Sequence, residues 1–195
     1  KKVAVEAGKA ILNDLNSKMK IQYKGKTDLV TESDFKSEKI IVSNLKKSFP
    51  SYGIVSEESY NEKKETYWLI DPLDGTRNFS QGFPYFGINI GLIRKNKVIL
   101  GVTYNPVTKE LFWAENGKGS FCNGKIIKVS NTKDINISTV DYSPKLISKI
   151  PSELGETIRR RGSGAIDYTE VARGRLDAKI KTRTDKPWDF AVGVI

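Results

Sequence analysis

From Gly53 to Ala114 the chain alternates short β-type runs with turn-forming links, and that spacing constrains the fold more than any other feature. The runs are Gly53–Ser56, Tyr67–Ile70, Phe86–Arg94, Val98–Tyr104 and Leu111–Ala114. Turn chemistry separates the later ones at Lys95-Asn96-Lys97, Asn105-Pro106 and Asn116-Gly117. Strands joined by so few residues pair antiparallel, because a parallel partner needs a crossover of about a dozen residues or more.

Two helical runs precede this sheet. Val3, Ala7, Ala10, Ile11 and Leu15 recur at helical spacing, and Phe35, Ile41, Val42, Leu45 and Phe49 repeat the pattern until Pro50 closes it. Thr31, with Asp34 three positions on, approximates a capping box for the second helix, and Tyr23–Asp28 reads as a polar loop between the two. Further on come β-type Ile137–Val140 and Thr157–Arg160, then a helical stretch Ala165–Ala172 stopped by Gly174. A short strand, Asp177–Lys181, leads to helical Trp188–Ala191. The expected fold is a layered α/β (α+β) arrangement with a largely antiparallel first sheet. Its 195 residues suit a single domain, 1–195, with lobes of about 1–130 and 131–195. The chain starts at Lys1 rather than Met and stops in apolar sequence at Ile195, so both ends are expected to be cut.

Composition limits the chemistry. There is no histidine, which excludes Ser-His-Asp and Cys-His catalysis and every imidazole metal site within these residues. One cysteine, Cys122, forms neither an intrachain disulfide nor a zinc cluster, and a reducing cytoplasm is the expected home. The longest near-apolar run, Phe83–Ile93, is broken by Pro84, Gly87 and Asn89 and is far shorter than the roughly 20 residues that span a bilayer, so no membrane partner is expected. A net charge of +10 directs attention to anionic partners: nucleic acid, acidic lipid or phosphorylated metabolites. Acid–base and metal chemistry falls to carboxylates.

The segment Tyr67-Trp-Leu-Ile-Asp71-Pro-Leu-Asp74-Gly-Thr76 concentrates them. Asp71 ends a strand expected to be buried, and Pro72 with Gly75 is expected to force a tight turn that brings Asp74 back beside it. Two carboxylates held together repel unless a cation or a shared proton relieves them, and an all-oxygen set suits Mg²⁺, with Ca²⁺ or Mn²⁺ as competitors. Thr76-Arg-Asn78-Phe79 reads as a helix start, and free N–H groups there suit a phosphate. Gly119-Ser-Phe-Cys-Asn-Gly124-Lys125 nearly spells a nucleotide P-loop, but Ile126 stands where Ser or Thr is required and β-type sequence follows, so a hairpin turn is expected.

Trp68-Leu-Ile-Asp71-Pro-Leu-Asp74-Gly-Thr76-Arg-Asn78-Phe79, with Gly82-Phe-Pro84 and Gly91 after it, closely resembles the signature of the inositol monophosphatase family of Mg²⁺-dependent phosphatases. Asp28–Asp34, Ser56-Glu57-Glu58-Ser59, Gly162-Ser163-Gly164-Ala165 and Trp188-Asp189 follow in that family's order. The resemblance implies a layered α-β-α-β-α sandwich of the sugar-phosphatase type, a homodimer, two to three Mg²⁺ ions and lithium sensitivity. By position it implies that Glu57, Asp71 and the Leu73 carbonyl hold one ion and Asp71, Asp74 and Asp189 a second, with a third reaching Glu57 through water near Asp34. Thr76, oriented by Asp34, would place the attacking water. Gly75 and Thr76 N–H groups would grip the phosphate, and Asp74, Gly164, Lys181 and Asp189 would contact the substrate.

Members specific for inositol phosphate often carry glutamate where this chain has Lys181. Arg159, Arg160, Arg161, Lys179 and Arg183 gather near it in sequence, and a basic rim suits a second phosphate, as in fructose 1,6-bisphosphate. The expected substrate is a small phosphorylated cyclitol or sugar: inositol monophosphate first, then fructose 1,6-bisphosphate or both, with adenosine 3′,5′-bisphosphate more distant. A nucleic-acid-binding module would also suit +10, yet the aromatics fall in apolar strand positions and no recognised binding motif is present, so no nucleic-acid partner is expected. A catalytically dead family member would not need Thr76 and the five carboxylates together.

Overall fold

The computed structural model describes residues 1–15, 21–23, 29–142, 158–181 and 186–194. Helix α1 (Lys2–Asp14) buries Ala4, Ala7, Gly8 and Ile11, the stripe its spacing dictates. Gly8 is needed for the approach to the sheet, since a Cβ there would lie 2.5 Å from the Tyr104 ring. A short antiparallel pair, β1 (Ile21–Tyr23) with β2 (Leu29–Thr31), stands where a polar loop was expected to begin; positions 24–28 of that loop lie outside the described residues.

Helix α2 (Glu32–Ser48) opens on the expected capping box, with the Thr31 N–H donating to Asp34 Oδ2 at 2.7 Å. Its inward face carries Ser33, Asp34, Ser37 and Glu38 before it becomes apolar at Ile41, Val42 and Leu45. Two expected members of the apolar stripe are therefore displaced. Phe35 points off that face and is 42 % exposed, while Phe49 lies one residue beyond the helix and stacks with Tyr52. The first turns face inward with polar groups because they border the site described below rather than the core.

Strands β3 (Gly53–Ser56), β4 (Asn61–Glu62), β5 (Thr66–Asp74), β6 (Gly87–Arg94), β7 (Lys97–Asn105), β8 (Glu110–Glu115), β9 (Gly119–Cys122) and β10 (Lys125–Ile126) make one sheet in the order β10-β9-β8-β7-β6-β5-β3-β4. Every pairing is antiparallel except β3 with β5, because the β4 hairpin occupies the outer side of β3 and the chain returns on the inner side. Lys95 and Asn96 take φ of 49° and 60° in the β6–β7 link, and Asn123 and Gly124 take 48° and 81° between β9 and β10. Two successive left-handed residues are what a tight hairpin of the right twist demands, so the near P-loop is a hairpin, as expected.

The main core lies between α1, α2 and one face of the sheet, where Ile11, Ile41, Leu45, Ile70, Phe79, Phe86 and Ile88 close on one another. The other face is covered too. Helix α4 (Gly164–Ala172) packs on β6 and β7, with Ile166 against Gly87, and α5 (Pro187–Phe190) packs on β5 and β6 before a 3₁₀ turn, Ala191–Val194. Beyond α4 lies a small parallel sheet, β12 (Ile158–Arg159), β11 (Val140–Tyr142) and β13 (Ala178–Ile180), in the order β12-β11-β13. The expected strand Ile137–Val140 starts later: Asp134 caps a 3₁₀ turn over Ile135–Ile137, and pairing begins at Val140. Helices, large sheet, helices and small sheet thus stack in the expected layered order. Among the described residues, no helix is long and apolar enough to cross a membrane.

Candidate active site

Strand β5 does not turn after Asp71. It stays paired with β6 through Asp74, with Asp71 opposite Asn89 and Asp74 opposite Gly87. Three steps on β5 thus face two on β6, which is a β-bulge. In a regular strand, positions three apart point to opposite faces; the extra residue returns Asp74 to the face of Asp71. This corrects the expected tight turn: the reversal comes only at Gly75, where φ is 90°. Pro72 tolerates the bulge because it has no N–H to pair, and its carbonyl accepts the Ser37 hydroxyl at 2.7 Å.

Glu57 arrives from the strand alongside. Strand β3 runs parallel to β5 with Ser56 opposite Ile70, and the Glu57 N–H continues that ladder onto the Ile70 carbonyl at 3.1 Å. Asp189 comes from α5, which is tied down by Asn89. That buried amide accepts the Thr103 hydroxyl and donates to the Trp188 carbonyl, each at 2.7 Å. Asn89 was not expected as a site residue, although a lone asparagine in an apolar strand was its visible signal.

Asp71, Asp74 and Asp189 each bring one carboxylate oxygen within 4.8 Å of the others. Burial, then the charges of Glu57, Asp74 and Asp189, push the Asp71 carboxyl well above the usual carboxylate range. Burial also raises Asp74, against the Ser163 hydroxyl, the Ala165 N–H and Lys181, which pull it down. A buried carboxylate whose proton affinity is raised by the acids gathered around it, with oxygen donors converging from three carboxylates, fits a hard divalent cation.

Thr76 begins a short helix, α3 (Thr76–Ser80), directly after the bulge. Its hydroxyl lies 2.9 Å from Asp34 Oδ1 and 2.9 Å from the Leu73 carbonyl, so its single proton serves one of two acceptors. Glu57, Asp71, Leu73, Asp74, Gly75, Thr76 and Asp189 all line one cavity of about 220 Å³, with Asp34 reaching it through Thr76. Gly164 and Lys181 line a neighbouring cleft of about 470 Å³ that shares Asp74 and Gly162 with it.

Two cations of the expected basic rim are already paired with acids. Lys179 is buried, with Nζ 2.5 Å from Asp167 and 3.1 Å from Asp141. Arg161 sits 3.0 Å from Asp167 with its guanidinium over the Tyr85 ring, and the Tyr85 hydroxyl donates to Asp167 at 2.9 Å. Asp141 and Asp167, acids on β11 and α4, absorb these two cations, and sequence spacing did not reveal them as partners. Arg159 is exposed and does not line the cleft, Arg160 and Lys181 line it beside the paired Arg161 and Lys179, and Arg183 lies outside the described residues.

The inositol monophosphatase family matches residues 1–195. The chain is 35% identical to Inositol monophosphatase 2 of Solanum lycopersicum, covering 98% of this chain and 80% of that protein. It is 37% identical to the fructose-1,6-bisphosphatase/inositol-1-monophosphatase of Thermotoga maritima, covering 88% and 68%. A solved Thermotoga maritima IMPase superposes with a TM-score of 0.93 at 32% identity, covering 99% of this chain and 78% of that one.

Proposed function

The chain belongs to the inositol monophosphatase family, and on that premise we propose that it is a Mg²⁺-dependent enzyme hydrolysing inositol 1-phosphate to myo-inositol and inorganic phosphate. It is a phosphoric monoester hydrolase of a metal-dependent family. The observation that carries the finer reading is the convergence of Asp71, Asp74 and Asp189 beside the Asp34–Thr76 hydrogen bond.

In this reading Glu57, Asp71 and the Leu73 carbonyl would hold one Mg²⁺ and Asp71, Asp74 and Asp189 a second, and Glu57 would also hold a third through water. Bound there, the cations supply Lewis-acid polarisation of the phosphate and offset the crowded negative charge. The rest is done by the chain. Asp34, already fixed by the α2 cap, accepts the Thr76 hydroxyl hydrogen bond, which leaves the Thr76 oxygen lone pairs to accept from the attacking water and aim it at phosphorus. The Gly75 and Thr76 N–H groups, at the start of α3, hold the phosphate oxygens as negative charge grows on them. The bond from the water oxygen to phosphorus forms as the ester bond breaks; the attacking water sheds one proton to solvent, and the departing alkoxide, next to Asp189, takes one from solvent.

A second reading, action on fructose 1,6-bisphosphate as well, draws on Arg160 and Lys181 in the adjoining cleft and on the Thermotoga maritima relative named for both activities. Phosphate release from inositol 1-phosphate and fructose 1,6-bisphosphate, side by side with Mg²⁺ and with chelator, tests both. Chelator-sensitive release from the first substrate supports the main reading, and release from neither overturns it. The same reading takes the chain as one domain whose lobes, about 1–130 and 131–195, meet at this cleft, in a cytoplasmic homodimer. Light scattering on the purified protein tests the dimer.

A further inference from the structure

Asp74 is gripped by a segment far away in sequence. Its Oδ2 accepts the Ser163 hydroxyl at 2.5 Å, 89 positions along the chain, and the Ala165 N–H at 2.7 Å. Both donors belong to the opening of α4, so the grip exists only when α4 is docked against the end of β5. Ser163 is fully buried and is also the N-cap of α4, its hydroxyl oxygen accepting the Ile166 N–H at 3.4 Å. A hydroxyl has one proton and two lone pairs, so donating to Asp74 and accepting from Ile166 are compatible, and each fixes the rotor for the other.

The grip has little slack. Asn78 of α3 donates to the Arg161 carbonyl and to the Tyr85 carbonyl, each at 2.7 Å, and so pins the stretch just before Ser163. Gly162, with φ of 83°, allows that approach, since a Cβ there would lie 3.1 Å from the Asn78 amide nitrogen. With two donors on Oδ2, the oxygen of Asp74 left for a cation is Oδ1.

We infer that Ser163 is a positioning residue of the phosphatase site: its hydroxyl holds the Asp74 carboxylate so that Oδ1 is presented to the cation, coupling cation binding to the docking of α4. The inference rests on the metal reading proposed above. Losing a group that orients a ligating carboxylate costs about 10–100-fold in metal affinity, because a carboxylate free to rotate must be ordered again at each binding event. The coupling is reciprocal: a cation that binds only the aimed carboxylate also holds α4 in place.

Mg²⁺ titration calorimetry on the wild type, Ser163→Gly and Ser163→Ala tests this, with thermal unfolding of each metal-free protein alongside. Glycine is nearly as good an N-cap as serine and alanine is a poor one, so the pair separates capping from positioning. Positioning predicts that both variants lose about tenfold or more in Mg²⁺ affinity, whatever their melting temperatures. It also predicts that excess Mg²⁺ restores most of the turnover with KM for inositol 1-phosphate unchanged. Wild-type affinity in Ser163→Gly, with only Ser163→Ala weakened and less stable, would reduce Ser163 to a helix cap and overturn the inference while leaving the metal reading standing. A wild-type protein that takes up no Mg²⁺ overturns the metal reading, and the inference with it. Should Ser163→Gly not fold, Ser163→Ala below its transition temperature carries the test: unchanged affinity there overturns positioning.

Discussion

The Thr76 hydroxyl lies 2.9 Å from Asp34 Oδ1, across 42 positions of sequence. The other oxygen of the same carboxylate accepts the Thr31 N–H and hydroxyl at 2.7 and 2.6 Å. One side chain therefore starts α2 and orients the first residue of α3, which makes the aim of Thr76 as rigid as a helix cap.

If Asp34 and Thr76 act as a unit, removing either removes the unit. Asp34→Asn and Thr76→Ala are each expected to lower kcat by roughly 10²–10⁴, and the double variant to be no worse than the more damaged single one. Losses that simply multiply in the double variant would mean that the two residues act separately. Asp34→Asn should also cost about 1 kcal/mol of stability through the cap, a loss Thr76→Ala does not share.

Asp71 carries a prediction with opposite signs in two conditions. Its carboxyl is raised by burial and by Glu57, Asp74 and Asp189, so without a cation the stability it contributes at low pH is lost as the pH rises through that raised value. At pH 7.5 in chelator, Asp71→Asn is therefore expected to melt at or above the wild type. Saturating Mg²⁺, at roughly 100 times its Kd, should lift the wild type by about 5–10 °C and leave Asp71→Asn unmoved. A wild type indifferent to Mg²⁺ would remove the carboxylate cluster as a metal site.

Lys181 reaches over the start of α4: its Nζ lies 3.0 Å from where a Cβ on Gly164 would stand, in the cleft it shares with Arg160. Lys181→Met keeps the length of the side chain and removes its charge. The expected result is a drop of about tenfold in kcat/KM for fructose 1,6-bisphosphate and a change within about threefold for inositol 1-phosphate. Equal losses on the two substrates would place Lys181 in the support of the site rather than in recognition of a second phosphate.

Tyr85 predicts a loss at alkaline pH. Burial and the Asp167 carboxylate raise its phenol above the usual range, and its hydroxyl donates to Asp167 at 2.9 Å. For an acid whose folded value is raised, the stabilisation is complete below the unfolded value, near 10, and is lost as the pH climbs toward the folded one. Urea unfolding at pH 8 should show Tyr85→Phe about 1.5–3 kcal/mol less stable than the wild type, and that gap should narrow above about pH 10. A gap that stays constant with pH would mean that the phenol titrates normally.

Much of the fold was legible because it is local. Two-residue turns such as Lys95-Asn96 leave antiparallel pairing as the only choice, and Thr31 with Asp34 marks the start of α2 within four residues. The helix pattern misplaced Phe35 and Phe49 because periodicity does not distinguish a face turned to the core from one turned to a polar site.

The sequence by itself determined the chemistry: no histidine, carboxylates bunched around Asp71-Pro-Leu-Asp74, a glycine and a threonine where a helix begins, and hairpin spacing around them. Tertiary structure decided how these groups meet. The bulge that returns Asp74 to the face of Asp71 is a matter of register between β5 and β6, which neither strand encodes alone. Asp141 and Asp167 neutralise Lys179 and Arg161, and Ser163 takes hold of Asp74, only because α4 and β11 pack where they do. Hydrogen bonds and ion pairs act over a few ångströms, so a partner many tens of positions away in sequence is set by packing rather than by spacing.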